Sequence, residues 1–501
     1  MAVSRTNLSP VSALAIDLAR TGADALHRQI EASIRERIRS GALPAGVALP
    51  ATRTLAANLG VSRGVVVEAY AQLVAEGYLT SRSGGYTQVA PALARPARPR
   101  HAAIEPPRDG SGFPVANPSG APWSGPARPA VDFGYGRGNL SAFPRGAWLR
   151  SVRRVLTQTP DDRLGYIDGR GAPELRSALA DYLNRVRGTH AEAETVLVTN
   201  GYAQAISLLL GVLAARGATA LAVEDPSASD DARPSAQAVG MAVIGVPVGG
   251  DGVEVEALSE LRADALILTP SHQWPTGGVL SPATRAAALA WAQRTGALVI
   301  EDDYDAEYRY DRPPVGAIQG LDPDRVVYAG TASKTLAPGF RLGWLVLPRD
   351  LVEPVATAKL LADRGSPILD QLTFADFLSR GEFDRHLRRM RPLYRSRRDA
   401  LLAALAEHVP DLEPAGIAAG LHLVAWLPDR LREDEVIAAA ASEGVAVAGV
   451  APYRIAPSAR GGLIFGYSNL SERAIADGVA RLGRAIARLP RAATARMTPG
   501  T

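Results

Sequence analysis

Primary amines are scarce in this sequence, and one of them is placed for covalent chemistry. Lysine occurs only at 334 and 359, and arginine supplies the other basic side chains. Lys334 follows a short apolar run, 325–328, at the expected end of a strand. A lysine that forms a Schiff base with an aldehyde cofactor needs such a position, with hydroxyl groups and an arginine nearby for a phosphate. The side chains that could supply these groups are Thr331, Ser333 and Arg341.

Carboxylates follow a second apolar run, 298–300, in the segment Glu-Asp-Asp-Tyr-Asp at 301–305. A carboxylate at a strand end can pair with a protonated pyridine nitrogen, which makes the ring an electron sink. Without a cofactor, the crowded carboxylates would repel one another and would favour a metal or an arginine partner. Each of these side chains could also be a plain polar group at a strand end, and Arg341 a surface ion-pair partner. Lys359 is expected to be a solvated helix residue.

Short apolar runs alternate with helical stretches along residues 131–490. The apolar runs are 195–199, 220–223, 265–268, 298–300 and 325–328, and the clearest helical stretches are 203–213 and 282–295. This pattern is typical of an α/β fold with a doubly wound, mostly parallel sheet, which binds ligands at the carboxyl ends of its strands. Lys334 and the acidic segment are both predicted to lie at such ends.

Composition and charge divide the chain into four parts. We predict a basic helical domain at 23–91, a Pro/Gly/Arg-rich linker at 92–130, the α/β domain at 131–490 and a disordered tail at 491–501. Residues 1–100 hold twelve arginines against six acidic residues, although the whole chain has a net charge of only +4. A basic module on a near-neutral body is expected where one part contacts phosphate, although a general bias toward arginine would give the same excess.

The remaining compositional features exclude several classes of protein. The chain has no cysteine, which excludes disulfides, thiolate chemistry and cysteine-ligated metals. We expect no metal site. Neither a signal peptide nor an apolar stretch of about 20 residues is present, so we expect no membrane segment and a cytoplasmic protein.

The N-terminal segment has the pattern of a helix-turn-helix followed by a hairpin. Helices are predicted at 26–38, from 52 to the turn at Gly60, and from 63 to about 76, before a hairpin with a Gly-Gly tip. The sequence LPATR at 49–53, followed by LAANLGVSRGVVVEAYAQLVAEGYL, resembles the winged helix-turn-helix of GntR-type regulators. That resemblance implies double-stranded DNA as a partner. It places Ser62 and Arg63 in the major groove, Arg53 on the DNA backbone, and Arg82 with Gly84 in the wing. Arg63 could instead be a solvated helix start.

Three segments of the second domain carry a further resemblance. The sequence TPSHQWPTG…IEDDYDAEYRY…GTASKTLAPGFRLGW is similar to the fold-type I aminotransferase-like domain of MocR-type (GabR-type) transcriptional regulators. The resemblance implies that pyridoxal 5'-phosphate forms an internal aldimine with Lys334, that Asp302 binds the pyridine nitrogen and that Tyr304 binds the ring O3'. Arg341, Thr331 and Ser333 would then contact the phosphate, with Tyr202 and Ala203 in a turn whose amides bind it. The remaining implied cofactor residues are His272 and Gln273 beside O3', and Tyr166, which would cross a homodimer to the partner's phosphate.

The sequence departs from the family pattern at two places. The family's Glu-Asp-Pro segment continues Gly-Tyr, but here Ala228 replaces the tyrosine that stacks on the cofactor ring. Its loss is expected to weaken cofactor affinity, because aromatic stacking is worth ~0.5–1.5 kcal/mol beyond burial. Asp230 replaces an arginine that binds the effector's carboxylate in the GABA-type regulators, and Arg454 is the candidate for a second such arginine.

The sequence therefore predicts a dimeric, pyridoxal-phosphate-dependent transcriptional regulator. Its effector would be an amine, an amino acid or the cofactor itself, sensed at Lys334. One alternative is an active aminotransferase with a helical N-terminal module. Another is a fold that has lost the cofactor and serves only for dimerisation and sensing. Whether the protein turns over a substrate stays open at this point.

Overall fold

The computed structural model of the chain contains two compact units, residues 1–112 and 113–501. The structure describes residues 16, 18–19, 25–39, 42–44, 46–75, 79–81, 86–89, 129–136, 138–227, 231–250, 252–310, 316–457 and 460–489. Arg82, Gly84, Ala228, Asp230, linker residues 92–128 and the tail at 491–501 lie outside these residues. Among the described helices, none is long and apolar enough to cross a membrane.

The first unit is a three-helix domain with a strand pair. Its elements are α1 (Leu26–Arg39), α2 (Thr52–Leu59), α3 (Arg63–Ala75), β1 (Leu79–Ser81) and β2 (Thr87–Val89). Gly60 ends α2 with φ 61°, a conformation that glycine adopts without a Cβ penalty, and so makes the tight turn into α3. The antiparallel strands β1 and β2 follow the helices as a winged helix-turn-helix requires. A core that includes Ile34, Leu55 and Val66 holds the helices together.

The second unit contains eleven α-helices and fourteen strands among the described residues. The helices are α4 (Arg145–Gln158), α5 (Pro173–Arg187), α6 (Tyr202–Ala215), α7 (Ala232–Ala238), α8 (Val255–Glu260), α9 (Pro282–Thr295), α10 (Arg349–Asp363), α11 (Ile368–Ser379), α12 (Glu382–His408), α13 (Glu433–Ser442) and α14 (Glu472–Ala487). The strands are β3 (Val131–Asp132), β4 (Val196–Thr199), β5 (Ala220–Asp225), β6 (Ala242–Gly249), β7 (Gly252–Val253), β8 (Ala265–Leu268), β9 (Leu298–Asp303), β10 (Val326–Thr331), β11 (Gly343–Val346), β12 (Glu413–Ala415), β13 (His422–Trp426), β14 (Val445–Ala446), β15 (Ala448–Gly449) and β16 (Gly462–Gly466).

An eight-stranded sheet forms the centre of this unit, in the order β4-β11-β10-β9-β8-β5-β6-β7. The pairs from β10 through β9, β8 and β5 to β6 are parallel, and β11 runs antiparallel to both of its neighbours. The prediction of a mostly parallel sheet is confirmed. A second, antiparallel sheet of order β12-β13-β16-β15 lies in the C-terminal part of the unit.

Burial on both faces explains why the strands of the large sheet are continuous apolar runs. In β5, Leu221 and Val223 pack in a cluster with α6 and α10, whereas Ala222 packs in a cluster with α9. Successive side chains of a strand point to opposite faces, so each face of the sheet needs its own apolar residues and its own helices. This layering brings the carboxyl ends of β5, β8, β9 and β10 to one edge.

Candidate functional site

A cavity of about 240 Å³ opens at the carboxyl edge of the large sheet. Lys334 enters it three residues after β10, and Asp302 enters it from the end of β9. Eight of the eleven residues that the sequence predicted for the cofactor line this cavity: Lys334, Asp302, Tyr304, Thr331, Ser333, Arg341, Tyr202 and Ala203. Neighbouring parallel strands end side by side, so residues 32 positions apart share one site.

Lys334 is half-buried and is held by the backbone. Its Nζ donates a hydrogen bond of 3.0 Å to the carbonyl oxygen of Gly136. Burial lowers the pKa of Lys334 below its ordinary value, and the carboxylates of Asp302, Asp305 and Asp231 oppose that shift. A lysine that is less strongly protonated is a better nucleophile toward an aldehyde, which is the chemistry a Schiff base requires.

Asp302 is a buried carboxyl group whose charge Lys334 offsets only in part. Burial raises the pKa of Asp302 to about 8, the neighbouring Asp303 adds to the shift, and Lys334 and a hydrogen bond from Tyr202 oppose it. Asp303 points to the other face of β9, where it accepts bonds of 2.7 Å from Arg187 Nε and the Tyr328 hydroxyl. The crowded carboxylates of the acidic segment 301–305 suggested an arginine partner, and that partner is Arg187, which binds Asp303. Asp302 faces the cavity instead. A protonated ring nitrogen fits that place.

The Tyr304 hydroxyl enters the cavity in front of a buried network. It donates to the His272 carbonyl oxygen at 2.9 Å and lies 3.1 Å from His272 Nδ1, which is 3.0 Å from Asp305 Oδ2. His272 does not line the cavity, so it positions Tyr304 from behind. Asp305, His272 and His422 bring three possible metal ligands within 4.8 Å of one another. We interpret this group as a hydrogen-bond network, because His272 Nδ1 already has these partners.

Gln273 lies outside the cavity, and its side-chain amide forms hydrogen bonds with neighbouring loops. Its Nε2 donates to the carbonyl oxygens of Pro226 at 2.9 Å and Trp274 at 2.6 Å, and its Oε1 accepts from Thr276. A side chain with these bonds has no donor left for a cofactor atom. The role beside O3' that the resemblance implied for Gln273 is therefore not what the geometry shows, and Gln273 instead ties two loops together.

The opposite end of the cavity is built to hold an anion. The fourteen-residue helix α6 begins here at Tyr202, so its unpaired backbone amides and positive dipole end face the cavity beside Ala203. Arg341 donates 2.9 Å to the Asn200 carbonyl oxygen and lies against Gly201, where an added Cβ would come 2.6 Å from its Nη2. The hydroxyls of Thr331 and Ser333 bond to each other at 3.0 Å. A phosphate group fits this set of donors.

Lys359 is buried, and the expectation that it is solvated was wrong. Its Nζ donates to Asp363 Oδ1 and Oδ2 at 2.8 and 2.6 Å and to Ser366 Oγ at 3.0 Å. The Asp363 carboxylate also accepts 2.9 Å from Asn200 Nδ2 and 2.7 Å from Gln204 Nε2. Lys359 and Asp363 therefore brace the turn that precedes α6 at the anion end of the cavity.

Several lining residues were not found from the sequence. They are Tyr135, Gly136, Asp231, Trp274, Pro338, Leu421 and His422. Within the described part of the chain, the buried atoms His422 Nε2 and Trp274 Nε1 have no hydrogen-bond partner. A buried polar atom without a partner is costly, and both of these atoms belong to residues in the wall of the cavity. The only signal for His422 was an isolated histidine in the apolar run at 420–424, which by itself indicates no ligand.

Two predicted residues lie away from the cavity. Tyr166 is 97% exposed. A residue that contacts another protomer would be exposed in this way when one chain is considered alone. Arg454 lines a different cavity. Its guanidinium carbon lies 5.8 Å from the centre of the Trp426 ring, and its Nη2 donates a 3.1 Å hydrogen bond to the Arg460 carbonyl oxygen. The structure thus does not bring Arg454 to Lys334.

The first unit presents the predicted DNA contacts on its surface. Ser62 and Arg63 are exposed at the start of α3, the second helix of the helix-turn-helix, and Arg53 is exposed in α2. An arginine at the first turn of this helix can reach base edges or phosphates when the helix enters a major groove.

Known proteins resemble both units. The family Aminotransferase class I and II matches residues 137–472, and the gntR family of bacterial regulatory proteins matches residues 26–89. The probable rhizopine catabolism regulatory protein MocR of Rhizobium meliloti is 34% identical over 461 residues, 91% of this chain and 92% of that protein. The pyridoxine biosynthesis transcriptional regulator PdxR of Corynebacterium glutamicum is 32% identical over 446 residues, 89% of this chain and 92% of that protein.

A solved enzyme structure resembles the second unit. The alpha-aminoadipate aminotransferase LysN of Thermus thermophilus, complexed with N-(5'-phosphopyridoxyl)-L-leucine, matches with a TM-score of 0.65 at 28% identity. The match covers 71% of this chain and 92% of the enzyme. The ligand of that structure joins a phosphopyridoxyl group to an amino acid.

Proposed function

The chain belongs to the aminotransferase class I and II family, carries a gntR-type DNA-binding domain and uses pyridoxal 5'-phosphate, and we propose that it senses an amine or amino acid through that cofactor on Lys334. The effector's amine would bind in the cavity that Lys334 and the cofactor would share. The resulting change would alter how the DNA-binding domains are presented, provided that the effector binds one arrangement better than another.

One observation carries this proposal: the half-buried Lys334 and the buried Asp302 line one cavity. When bound, the cofactor would supply an electrophilic aldehyde and an electron-withdrawing ring. Lys334 would hold the aldehyde end and Asp302 the proton on the ring nitrogen. Tyr304, positioned by His272, would bond to the ring hydroxyl, and Arg341 with the N-terminus of α6 would bind the phosphate.

We propose the following boundaries for the two domains and the linker. Residues 23–91 would form the DNA-binding domain and 131–490 the cofactor domain, joined by the linker at 92–130. A homodimer would place the exposed Tyr166 against the partner's phosphate. A carboxylate on the effector would need a cationic partner other than Arg454. The small volume of the cofactor cavity would limit the size of the amines and amino acids that can bind.

The rival function, a working aminotransferase, is favoured by the likeness to LysN. Steady turnover needs Lys334 as a proton-transfer base and a pocket that accepts an amino donor and a 2-oxo acid in turn. If turnover is the function, a fragment lacking residues 1–90 should still convert such a pair of substrates. If sensing is the function, that fragment should give a single spectral change with each amine and no continuous product.

The deciding experiment compares wild type with Lys334→Ala and Lys334→Arg, where the arginine variant keeps the positive charge. Each protein is titrated with cofactor while its visible absorbance is followed, and its binding to DNA from its own promoter is measured with and without candidate amines. We expect both variants to lose the long-wavelength cofactor band and the response of DNA binding to amines. An unchanged band and an unchanged response in both variants would refute the proposal.

A further inference from the structure

A second and larger cavity, of about 1110 Å³, lies between the large sheet and the C-terminal sheet of the second unit. Its described lining contains four arginines and one acidic residue, Asp225. The arginines are Arg285, Arg309, Arg454 and Arg460. Most of the remaining wall is apolar or backbone, with Val279, Leu280 and Ile417 among its side chains. Its volume is that of an ordinary small-molecule pocket, ~300–1,000 Å³, or slightly more.

Within the described residues, two of these arginines, Arg285 and Arg454, donate hydrogen bonds to backbone carbonyl oxygens. Arg285 is 7% exposed, and its partners among the described residues are carbonyl oxygens, with bonds of 2.7 Å to Gly316 and 3.3 Å to Leu280. Burial lowers the pKa of Arg285, with Glu301 opposing that shift. Neither Arg285 nor Arg454 forms an ion pair within the part of the chain that the structure describes. Arg285 is buried and Arg454 is half-exposed, and a bound anion would give both guanidinium groups a charged hydrogen-bond acceptor.

The single carboxylate in the wall is already occupied. Asp225 accepts the backbone N–H of Ile455 at 2.9 Å and of Ala456 at 2.7 Å. Arg460, by contrast, pairs with Glu413 and lies over the Trp426 ring at 5.3 Å. Arg285 and Arg454 are therefore the lining arginines that can turn to a bound anion without breaking an ion pair among the described residues.

The N-terminus of α9 also reaches this cavity, with the Thr284 N–H capped by the Ser281 hydroxyl. The helix has fourteen residues, and its N-cap Ser281 and first residue Pro282 line the cavity. The dipole of a helix of this length favours an anion near its first turn. Two arginine side chains and a helix N-terminus thus face one space with an apolar wall.

We propose that this cavity is a second ligand site, which binds a small organic anion through a carboxylate or phosphate group. Arg285, Arg454 and the start of α9 bind the charged group, and the apolar wall contacts the body of the molecule. The site is separate from the one around Lys334, since the two cavities share no lining residue.

The second site is connected to the cofactor cavity through one dipeptide. Arg454 has an extended backbone, φ −90° and ψ 148°, so its side chain and that of Tyr453 point in different directions. The Tyr453 hydroxyl bonds to that of Tyr135, and its ring contacts the Trp274 ring at 5.8 Å. Tyr135 and Trp274 both line the cofactor cavity. An anion that moves Arg454 would therefore shift Tyr453 and, through it, Tyr135 and Trp274 in the wall of the cofactor cavity.

Calorimetric titration of the full-length, cofactor-loaded protein, freed of excess cofactor, tests the proposal. The probes are phenyl phosphate and benzoate, with the neutral benzamide for comparison. We expect at least one anion to bind with millimolar or lower Kd and benzamide not to bind. Preference for phenyl phosphate or for benzoate identifies the charged group of the natural ligand.

Variants then locate the binding. Arg454→Gln is expected to weaken anion binding about tenfold or more, because it removes a hydrogen bond to a charged group. Arg454→Lys keeps the charge and is expected to retain most of the affinity, which separates loss of charge from loss of fold. Arg430→Gln is the control, since Arg430 is an exposed arginine paired with Asp411 outside the cavity. Absence of binding by both anions, equal binding of benzamide, or equal weakening by Arg430→Gln and Arg454→Gln would each overturn the proposal.

Discussion

Replacing Asp302 by asparagine should stabilise the cofactor-free protein and weaken the binding of the cofactor. In the empty cavity the Asp302 carboxylate is buried beside a second aspartate, and only Lys334 and Tyr202 offset its charge. Asparagine removes the charge and keeps an oxygen that can accept the Tyr202 hydroxyl. A site that evolved to hold a cationic ring is thus expected to be unfavourable without that ring.

The magnitude follows from the pKa of Asp302, which is raised from 3.8 to about 8. Between these values the folded protein holds a proton that the unfolded chain has released, so stability falls as pH rises, by ~1.4 kcal/mol per pH unit. At pH 8 the accumulated cost is about 5 kcal/mol. Below pH 4 both states are protonated and the cost is absent. The asparagine side chain cannot titrate, so the variant should lack this part of the pH dependence.

Thermal unfolding from pH 5 to pH 8.5, without cofactor, measures the effect. We expect Asp302→Asn to unfold at a higher temperature than wild type at pH 8, and the difference to shrink steadily toward pH 5. With cofactor the order should reverse, and the cofactor Kd should rise about tenfold or more, because a hydrogen bond between charged groups contributes ~1.5–3 kcal/mol. A variant that is no more stable at pH 8, or whose profile runs parallel to that of wild type, would refute the argument from buried charge.

The adjacent Asp303 provides a matched control of opposite sign. Its carboxylate pairs with the fully buried Arg187 at 2.7 Å and accepts the Tyr328 hydroxyl. Asp303→Asn should therefore destabilise the protein at every pH in this range, by ~3–5 kcal/mol, since it removes the carboxylate that forms an ion pair with a buried cation. If both variants shifted stability in the same direction, the two faces of β9 would not differ as described.

Three further predictions concern other parts of the chain. Lys359→Gln should lower stability by ~3 kcal/mol and raise the cofactor Kd in equilibrium dialysis, because Asp363 loses its counter-charge and the turn before α6 loosens; Lys359→Arg should be milder. Arg63→Ala should weaken binding to promoter DNA and reduce the salt slope of log K by ~1 if Arg63 contacts a phosphate, as anisotropy titrations at several salt concentrations would show. Burial lowers the pKa of His386 to about 4, so stability should fall by about 3 kcal/mol as pH drops from 6.5 to 4, and His386→Gln should flatten that part of the unfolding profile.

The sequence was most informative where chemistry follows directly from a strand end. Lys334 and Asp302 were placed correctly at one edge because parallel strands β9 and β10 must end side by side. The helix limits at 282–295 and the antiparallel pair after α3 were likewise recognisable from Pro, Gly and apolar spacing. Local rules sufficed for these features, since each depends on residues within a few positions of one another or on sheet topology.

Features that depend on contacts between distant segments could not be predicted. Lys359 lies in α10 and donates to Asp363, which in turn accepts a hydrogen bond from Asn200. Asn200 stands 159 positions before Lys359 in the chain. Nothing in its helical neighbourhood distinguishes this lysine from a solvated one. Arg454 likewise turns to Trp426 because the antiparallel C-terminal sheet places that ring nearby. His422 and Asp231 reach the cofactor cavity for similar reasons of packing.

The two cavities impose a reciprocal relation if both proposals hold. Coupling between sites is a free energy shared by both ligands, so an anion that strengthens amine binding at Lys334 must itself bind more tightly, by the same factor, when the amine is present. The strip from Trp274 through Tyr453 to Arg454 is the contact by which this energy would pass. Tyr453→Phe removes the hydroxyl bond to Tyr135 while leaving both cavities lined as before, so it should reduce the coupling factor toward one and leave each separate Kd nearly unchanged. Calorimetric titration of benzoate or phenyl phosphate, with and without a saturating amine, measures that factor in wild type and variant. Equal factors in the two proteins would exclude this strip as the connection without affecting either site.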